Sequence, residues 1–215
     1  MTNTEQTSFW QGQFGKDYTE RNTADVEGVN ERYRALYGMG RTEMNEQFLA
    51  GIDRSLRVLE IGCNIGNQLL ILQKMGFTRL TGIEIQRYAV EKAKRRLQDI
   101  DVIQGSGLEI PFRDGWFDLV YTSGVLIHVA PEHHARIAAE MARCSGRFIW
   151  GFEYFAETTT EVNYRGHQGF LWKADFPRII SSAAPGFHLV KKQLYPYITE
   201  GEKGNVDCMY LLEKA

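Results

Sequence analysis

The chain has 215 residues, 43% of them hydrophobic and 24% charged, with 25 Lys plus Arg against 27 Asp plus Glu. That length supports one domain, or one domain with a lid, around a full-sized core. A formal net charge of −2 leaves no basic footprint, so neither nucleic acid nor an anionic membrane surface is expected as a partner.

No apolar run approaches the ~20 residues of a membrane span. The N-terminus, MTNTEQTSFWQGQFGKDY, is polar and lacks the apolar segment of a secretory signal. Cys63, Cys144 and Cys208 are odd in number and far apart. They form no metal-ligand spacing, and unpaired thiols suit a reducing compartment, so a cytoplasmic location without a bound metal is expected.

Taken along the chain, residues 8–22 mix aromatics, glycines and charges without a clean period. Residues 23–51 place Val29, Tyr33, Leu36, Tyr37, Phe48 and Leu49 at helical spacing, with Gly38 and Gly40 as the interruption. Then the pattern alternates. RVLEIG reads as a buried strand, and GNQLLILQKMG as a helix stopped by Gly76. RLTGIEI is a second strand and QRYAVEKAKRRLQ a second helix, whose Lys92–Arg96 cluster reads as a solvated face. IDVIQG and WFDLVYTSG follow as strands. Pro131 opens a helix over 131–144, RFIWGFEYF is a fifth strand, and a loop-like stretch rich in Tyr, Arg, His and Trp runs on from 156. A helix at KADFPRIISSA and two strand-like segments close the chain. Near-continuous apolar strands alternating with helices predict an α/β fold with a mostly parallel sheet covered on both faces.

The informative stretch is EIGCNIG, residues 60–66, at the exit of the first strand. Ligands of open α/β sheets bind beyond the carboxyl ends of the strands. Gly62 and Gly66 remove side chains that would hold a ligand off the main chain. Glu84 ends the second strand, 18 residues past Gly66, where a carboxylate can accept both hydroxyls of a ribose. A dinucleotide site wants G-x-G-x-x-G; here the three positions are Gly62, Asn64 and Asn67, so NAD is disfavoured.

What stands instead, E-x-G-x-x-x-G, resembles the first motif of the S-adenosylmethionine-dependent methyltransferases of the Rossmann-like class. QGSGLEIPF resembles their adenine-holding segment, with Ser106 where many relatives carry aspartate. DGWFDLVYTSGVLIHV resembles the fourth strand and its exit. Further stretches (FWQGQFGKDYTERN, GVLIHV, ARCSGRFI, VNYRGH and FLWKADF) are similar to methyltransferases associated with pseudaminic acid biosynthesis. Relatives read a more basic R-L-F-K-R-D-F where this chain has GFLWKADF, which suggests a less acidic substrate.

The resemblance implies a Rossmann-like methyltransferase fold with a seven-stranded sheet, residues 1–52 as an N-terminal helical lid, and 53–215 as the cofactor domain with a substrate insertion around 155–175. Its cofactor is S-adenosyl-L-methionine, its product S-adenosyl-L-homocysteine, and its partner a small-molecule substrate, with the protein a monomer or homodimer. Cofactor contacts are expected from Glu60, Gly62, Asn64, Gly66, Glu84, Ile85, Ser106, Gly107, Leu108, Ser123 and Gly124, and from Tyr18 and Arg21 of the lid. Substrate contacts are expected from Trp10, Phe14, Tyr164, Arg165, His167 and Trp172, Arg165 offering a planar fork for an acidic group.

Methyl transfer is an in-line displacement in which alignment does most of the work. A hydroxyl acceptor also needs a base. His128 is the candidate, with Glu153 and Tyr154 expected to face the same cavity. Each also has a purely structural reading. The acceptor expected is O or N of a small polar metabolite, a nonulosonic-acid-type or nucleotide-linked sugar. Alternatives are another natural product, a macromolecule, or a non-catalytic cofactor-binding module. Against a macromolecule stands YTSGVLIH after the fourth strand, which is not the Asn/Asp-Pro-Pro-aromatic sequence.

Overall fold

The computed structural model describes residues 2–215. Four helices come first: α1 (Glu5–Gln11), α2 (Gln13–Arg21), α3 (Val26–Tyr37) and α4 (Arg41–Phe48). Asp25 starts α3 by accepting a hydrogen bond from Gly28 N at 2.9 Å. Gly38 stops it in the left-handed conformation, φ 77°, so the glycines do interrupt two helices here. No residue of α1 is buried, and α2 buries only Gly15 and Thr19. Neither helix therefore carries an apolar stripe, which is why residues 8–22 showed no period.

The alternating region follows as β1 (Arg57–Ile61), α5 (Asn67–Lys74), β2 (Arg79–Glu84), α6 (Arg87–Arg96), β3 (Asp101–Gln104) and β4 (Phe117–Ser123). Pro131 opens a short 3-10 turn that feeds α7 (His134–Cys144), and β5 (Ser145–Tyr154) comes next. Residues 156–175 hold only two two-residue strands, β6 (Thr160–Glu161) and β7 (Trp172–Lys173), paired antiparallel. Then come α8 (Phe176–Ala183), β8 (Phe187–Pro196) and β9 (Val206–Lys214). Gly76, φ 95°, ends α5 as expected, with Phe77 N donating back to Leu72 O at 3.1 Å.

Seven strands form one sheet in the order β3-β2-β1-β4-β5-β9-β8, with only β9 antiparallel to the rest. Alternate residues of the central strands enter two cores. Leu59, Ile61, Val120 and Ile149 meet Ile137 and Met141 of α7 and Ile180 of α8. Val58, Leu119, Tyr121 and Trp150 meet Leu69 of α5, Ala93 of α6, and Met44 and Phe48 of α4. Part of the N-terminal segment is therefore core, and the covering piece is α1 with α2. β1 pairs in parallel with both β2 and β4. The winding reverses between them, which opens a crevice at their carboxyl ends. Among the described residues no helix is long and apolar enough to cross a membrane.

Candidate active site

That crevice holds a cavity of about 260 Å³. The turn after β1 forms its floor and has three left-handed residues in five: Gly62 (φ 69°), Asn64 (φ 47°) and Gly66 (φ 81°). Gly62 N and Cys63 N both donate to Ile83 O, at 2.8 and 3.1 Å, which ties the turn to β2. Glu84 does the rest. One carboxylate oxygen accepts Asn64 N at 2.9 Å and the other accepts Gln86 N at 2.7 Å. Burial pushes this carboxyl up, and those main-chain donors pull it back toward the ionised form. Each oxygen keeps lone-pair capacity for a further donor.

Of the expected cofactor residues, Tyr18, Glu60, Gly62, Asn64, Glu84, Ile85, Ser106, Gly107, Leu108, Ser123 and Gly124 line the cavity; Gly66 and Arg21 do not. Gly66 is buried, and a Cβ there would stand 2.5 Å from Leu97 Cδ1. Its missing side chain makes room for protein and not for ligand. Replacing Gly66 by alanine is expected to cost roughly 2–4 kcal/mol of stability, from the left-handed backbone and the clash, as read from a urea-unfolding midpoint. Loss of ligand affinity at unchanged stability would instead return Gly66 to the binding site. Arg21 is exposed, its guanidinium 6.0 Å over the Phe14 ring. Ser106 Oγ accepts Leu108 N at 3.2 Å and so closes its own turn.

The residues present fit the expected cofactor on two observations. Glu84 offers paired oxygens at the end of β2. Glu60, buried at 3% exposure, has Oε2 without a hydrogen-bond partner, an acceptor facing the same space. Burial pushes Glu60 up to about 8; the nearby Tyr121 hydroxyl and Arg41 charge moderate the shift, the hydroxyl without a well-formed hydrogen bond. An ammonium group brought beside Glu60 would restore its charge.

His128 lines the cavity, its ring 4.6 Å from Trp10 and 4.9 Å from Tyr164. Its Nδ1 lies 2.7 Å from Phe170 O. A carbonyl only accepts, so Nδ1 carries the hydrogen and Nε2 the lone pair. With one edge open to the cavity and the rest enclosed, burial pushes His128 down to about 4. The ring is therefore neutral at physiological pH.

Other expected contacts lie elsewhere. Contrary to expectation, Glu153 and Tyr154 do not line the cavity. Glu153, 1% exposed, points both carboxylate oxygens at Val125 N, at 3.2 and 2.9 Å, and so holds the 124–128 turn. Burial pushes Glu153 up to about 7 against that hydrogen bond. Tyr154 packs under Lys173 and against Tyr197. Trp10 lines the cavity, whereas Phe14, Tyr164, Arg165, His167 and Trp172 do not. Phe14, Tyr164 and His167 form an aromatic layer behind Trp10. Arg165 is exposed and Trp172 is buried at 7% exposure.

Gln86 went unread in the sequence although it follows Glu84 by two. Its Nε2 donates to Gln11 O and Gly12 O, at 2.8 and 3.1 Å, and reaches Trp10 O at 3.4 Å. Asn64 Nδ2 donates to Thr19 Oγ1 at 3.0 Å, and Asn67 Nδ2 to Asn22 O at 3.2 Å. Helices α1 and α2, which line the cavity, are thus fastened to the turns that follow β1 and β2.

Comparison with known proteins agrees with this geometry. The family model described as a methyltransferase domain matches residues 59–148. That match spans less than half of the chain and makes the segment similar to a methyltransferase domain. A sterol 24-C-methyltransferase of Gibberella zeae is 32% identical over 93 residues, which cover 39% of this chain and 24% of that enzyme's length. The chain thus spans about a quarter of that relative. Two solved structures share the fold at 14% identity. The magnesium protoporphyrin IX methyltransferase of Synechocystis has a TM-score of 0.70 over 97% of this chain and 98% of its own. The 1,6-didemethyltoxoflavin-N1-methyltransferase of Burkholderia thailandensis has a TM-score of 0.70 over 100% and 91%.

Proposed function

We propose that this protein transfers the methyl group of S-adenosyl-L-methionine to an oxygen or nitrogen of a small polar metabolite. The observation that carries the reading is the pairing of Glu84 at one end of the cavity with the Nε2 lone pair of His128 at its wall. The bound cofactor supplies a sulfonium-activated methyl carbon for in-line displacement. Glu84 accepts the ribose hydroxyls, Glu60 accepts the ammonium, and Ile85 and Leu108 flank the base. Residues 1–52 include the lid proper, α1 and α2, which excludes water through Trp10 and Tyr18. The three cysteines, free and buried, suit a cytoplasmic setting.

His128 at Nε2 accepts the acceptor's O–H or N–H. A group titrating at about 4 orients that proton more than it removes it. This favours an acceptor atom that is already nucleophilic: a nitrogen, or a hydroxyl acidified by its neighbours. The His128 ring is expected to stay neutral from pH 8 down to about pH 5 and to protonate only near 4, because burial opposes its charged form. NMR titration of the ring nitrogens checks this, and an inflection near 6.5 would contradict it. His128→Ala is expected to lower kcat ~10²-fold or more while leaving cofactor affinity in place; an unaffected rate would retire the residue.

The resemblance to pseudaminic acid-associated enzymes supports a modified sugar as acceptor. Arg165, the fork that would take an acidic group, stands at the surface. A second reading has an observation of its own: the ring wall of Trp10 and His128, 4.6 Å apart, suits an acceptor with a flat face, like the 1,6-didemethyltoxoflavin bound to the Burkholderia enzyme. Incubating labelled cofactor with nucleotide-linked sugars and with flat heteroaromatics separates the two. Transfer to neither, with intact cofactor binding, would favour a non-catalytic module.

A further inference from the structure

Gln6, Thr7 and Trp10 are the residues of α1 that line the cavity. Thr7 is spent on its own helix start: its Oγ1 donates to Thr4 O at 3.0 Å and accepts Thr4 N at 2.7 Å. Gln6 and Trp10 stand one helical turn apart, on one face of the helix. Gln6 Nε2 donates to Gly169 O at 3.1 Å. A carbonyl only accepts, so this contact fixes which end of the Gln6 amide is which. Oε1 is the end left over, and no described residue donates to it.

Trp10 has the opposite character. Its side chain lies in the cavity wall, 4.6 Å from the His128 ring, and its Nε1 is shut off from solvent without a hydrogen-bond partner. A shielded indole N–H ordinarily finds an acceptor, and one left unpaired is costly. His128 belongs to the same group. Its Nδ1 is held by Phe170 O at 2.7 Å, so consecutive carbonyls, Gly169 and Phe170, set the Gln6 amide and the His128 ring. One part of the cavity wall thus offers an acceptor at Gln6 Oε1, a donor at Trp10 Nε1 and an acceptor at His128 Nε2. An amide carries the matching pair on separate atoms, C=O for the indole and N–H for the glutamine oxygen. It is also flat, as the ring wall requires.

We infer that the acceptor carries a secondary amide beside the atom to be methylated, and that Gln6 and Trp10 read it. The lid then selects the substrate as well as covering it. The inference rests on the methyl-transfer reading above, in which His128 Nε2 accepts from the atom to be methylated. An N-acetyl group on a sugar and a ring lactam are two sources of the same chemistry, and the test has an arm for each.

Two matched pairs of probes are titrated into protein loaded with S-adenosylhomocysteine: UDP-N-acetylglucosamine against UDP-glucose, and 2-quinolone against quinoline. NMR of isotope-labelled protein reads each Kd and the indole N–H resonance of Trp10, assigned by its loss in Trp10→Phe. In at least one pair the amide member is expected to bind about tenfold more tightly and to move that resonance downfield. Trp10→Phe keeps a ring in the wall and Gln6→Met keeps the side-chain length. Each is expected to cut the preference about threefold to tenfold and to change S-adenosylhomocysteine affinity by less than about threefold on the same basis. A purely structural role would weaken both members of a pair alike. Preference in the sugar pair alone identifies an N-acetyl group, and preference in the quinolone pair alone a lactam. No preference in either pair, or a preference that both variants retain, overturns the inference and leaves the cofactor reading standing. Wild-type protein that does not take up S-adenosylhomocysteine would sink that reading, and the inference with it.

Discussion

Glu84→Ala is expected to raise the Kd for S-adenosylhomocysteine at least about a hundredfold and to lower the melting temperature by several degrees. Hydrogen bonds to a charged group contribute ~1.5–3 kcal/mol each, and two ribose hydroxyls meet this carboxylate in the proposed complex. A hundredfold change corresponds to ~2.7 kcal/mol, within reach of that pair. The stability loss has a separate cause. Glu84 accepts Asn64 N and Gln86 N, and an enclosed donor left unpaired costs ~1–3 kcal/mol. In a chain of this size each kilocalorie shifts melting by ~2–4 °C. Glu84→Gln keeps an acceptor and should recover part of the melting temperature but little of the affinity. Calorimetry beside a thermal melt reads both quantities. Unchanged affinity in Glu84→Ala would remove the ribose role and, with it, the main support for the cavity's assignment.

Gly15→Ala is the second large effect. A Cβ on Gly15 would stand 1.8 Å from Trp10 O and 2.8 Å from Trp10 C. The obstacle is main chain, so α1 has to move away from α2 by more than a side-chain adjustment. Trp10 packs on His128, and the carbonyls at the end of α1 are the ones Gln86 holds. The substitution therefore undoes the lid at its fastening. No residue of α1 is buried, so global stability should change little. Hydrogen exchange over residues 5–21 is expected to rise, and S-adenosylhomocysteine to bind about tenfold more weakly, roughly the loss of one good hydrogen-bonded contact. With an acceptor in hand, turnover should fall ~10²-fold, the scale of an ångström-sized misplacement. Wild-type exchange and affinity in this variant would mean that the lid does not govern the site.

Legibility differed from residue to residue. The βαβ alternation and the EIGCNIG turn were plain because strands covered on both faces read as unbroken apolar runs, and a sharp turn needs residues tolerant of positive φ. Glu84 stood out because it ends the second strand 18 residues past Gly66, while the two main-chain donors it also accepts, Asn64 N and Gln86 N, left no mark in the sequence. Gly66 shares the motif but serves Leu97, a distinction no spacing carries. At the exit of β5, Glu153 looked like a group facing the cavity beside the candidate base, yet it is spent on Val125 N. Arg41 gave no signal, since a charged residue opening a helix ordinarily points to solvent.

The sequence by itself determined the class of fold, the place of the glycine turn at the exit of β1 and the acid that closes β2 beside it. These depend on local periodicity and on contacts within one β-α-β unit. Only the tertiary structure decided that α1 and α2 are latched by Gln86 and Asn64, that Phe170 O sets the proton on His128, and that Arg41 is buried against Ser123. Each of those joins residues at least 42 positions apart, and what a polar group does there depends on which donors and acceptors the packing leaves it.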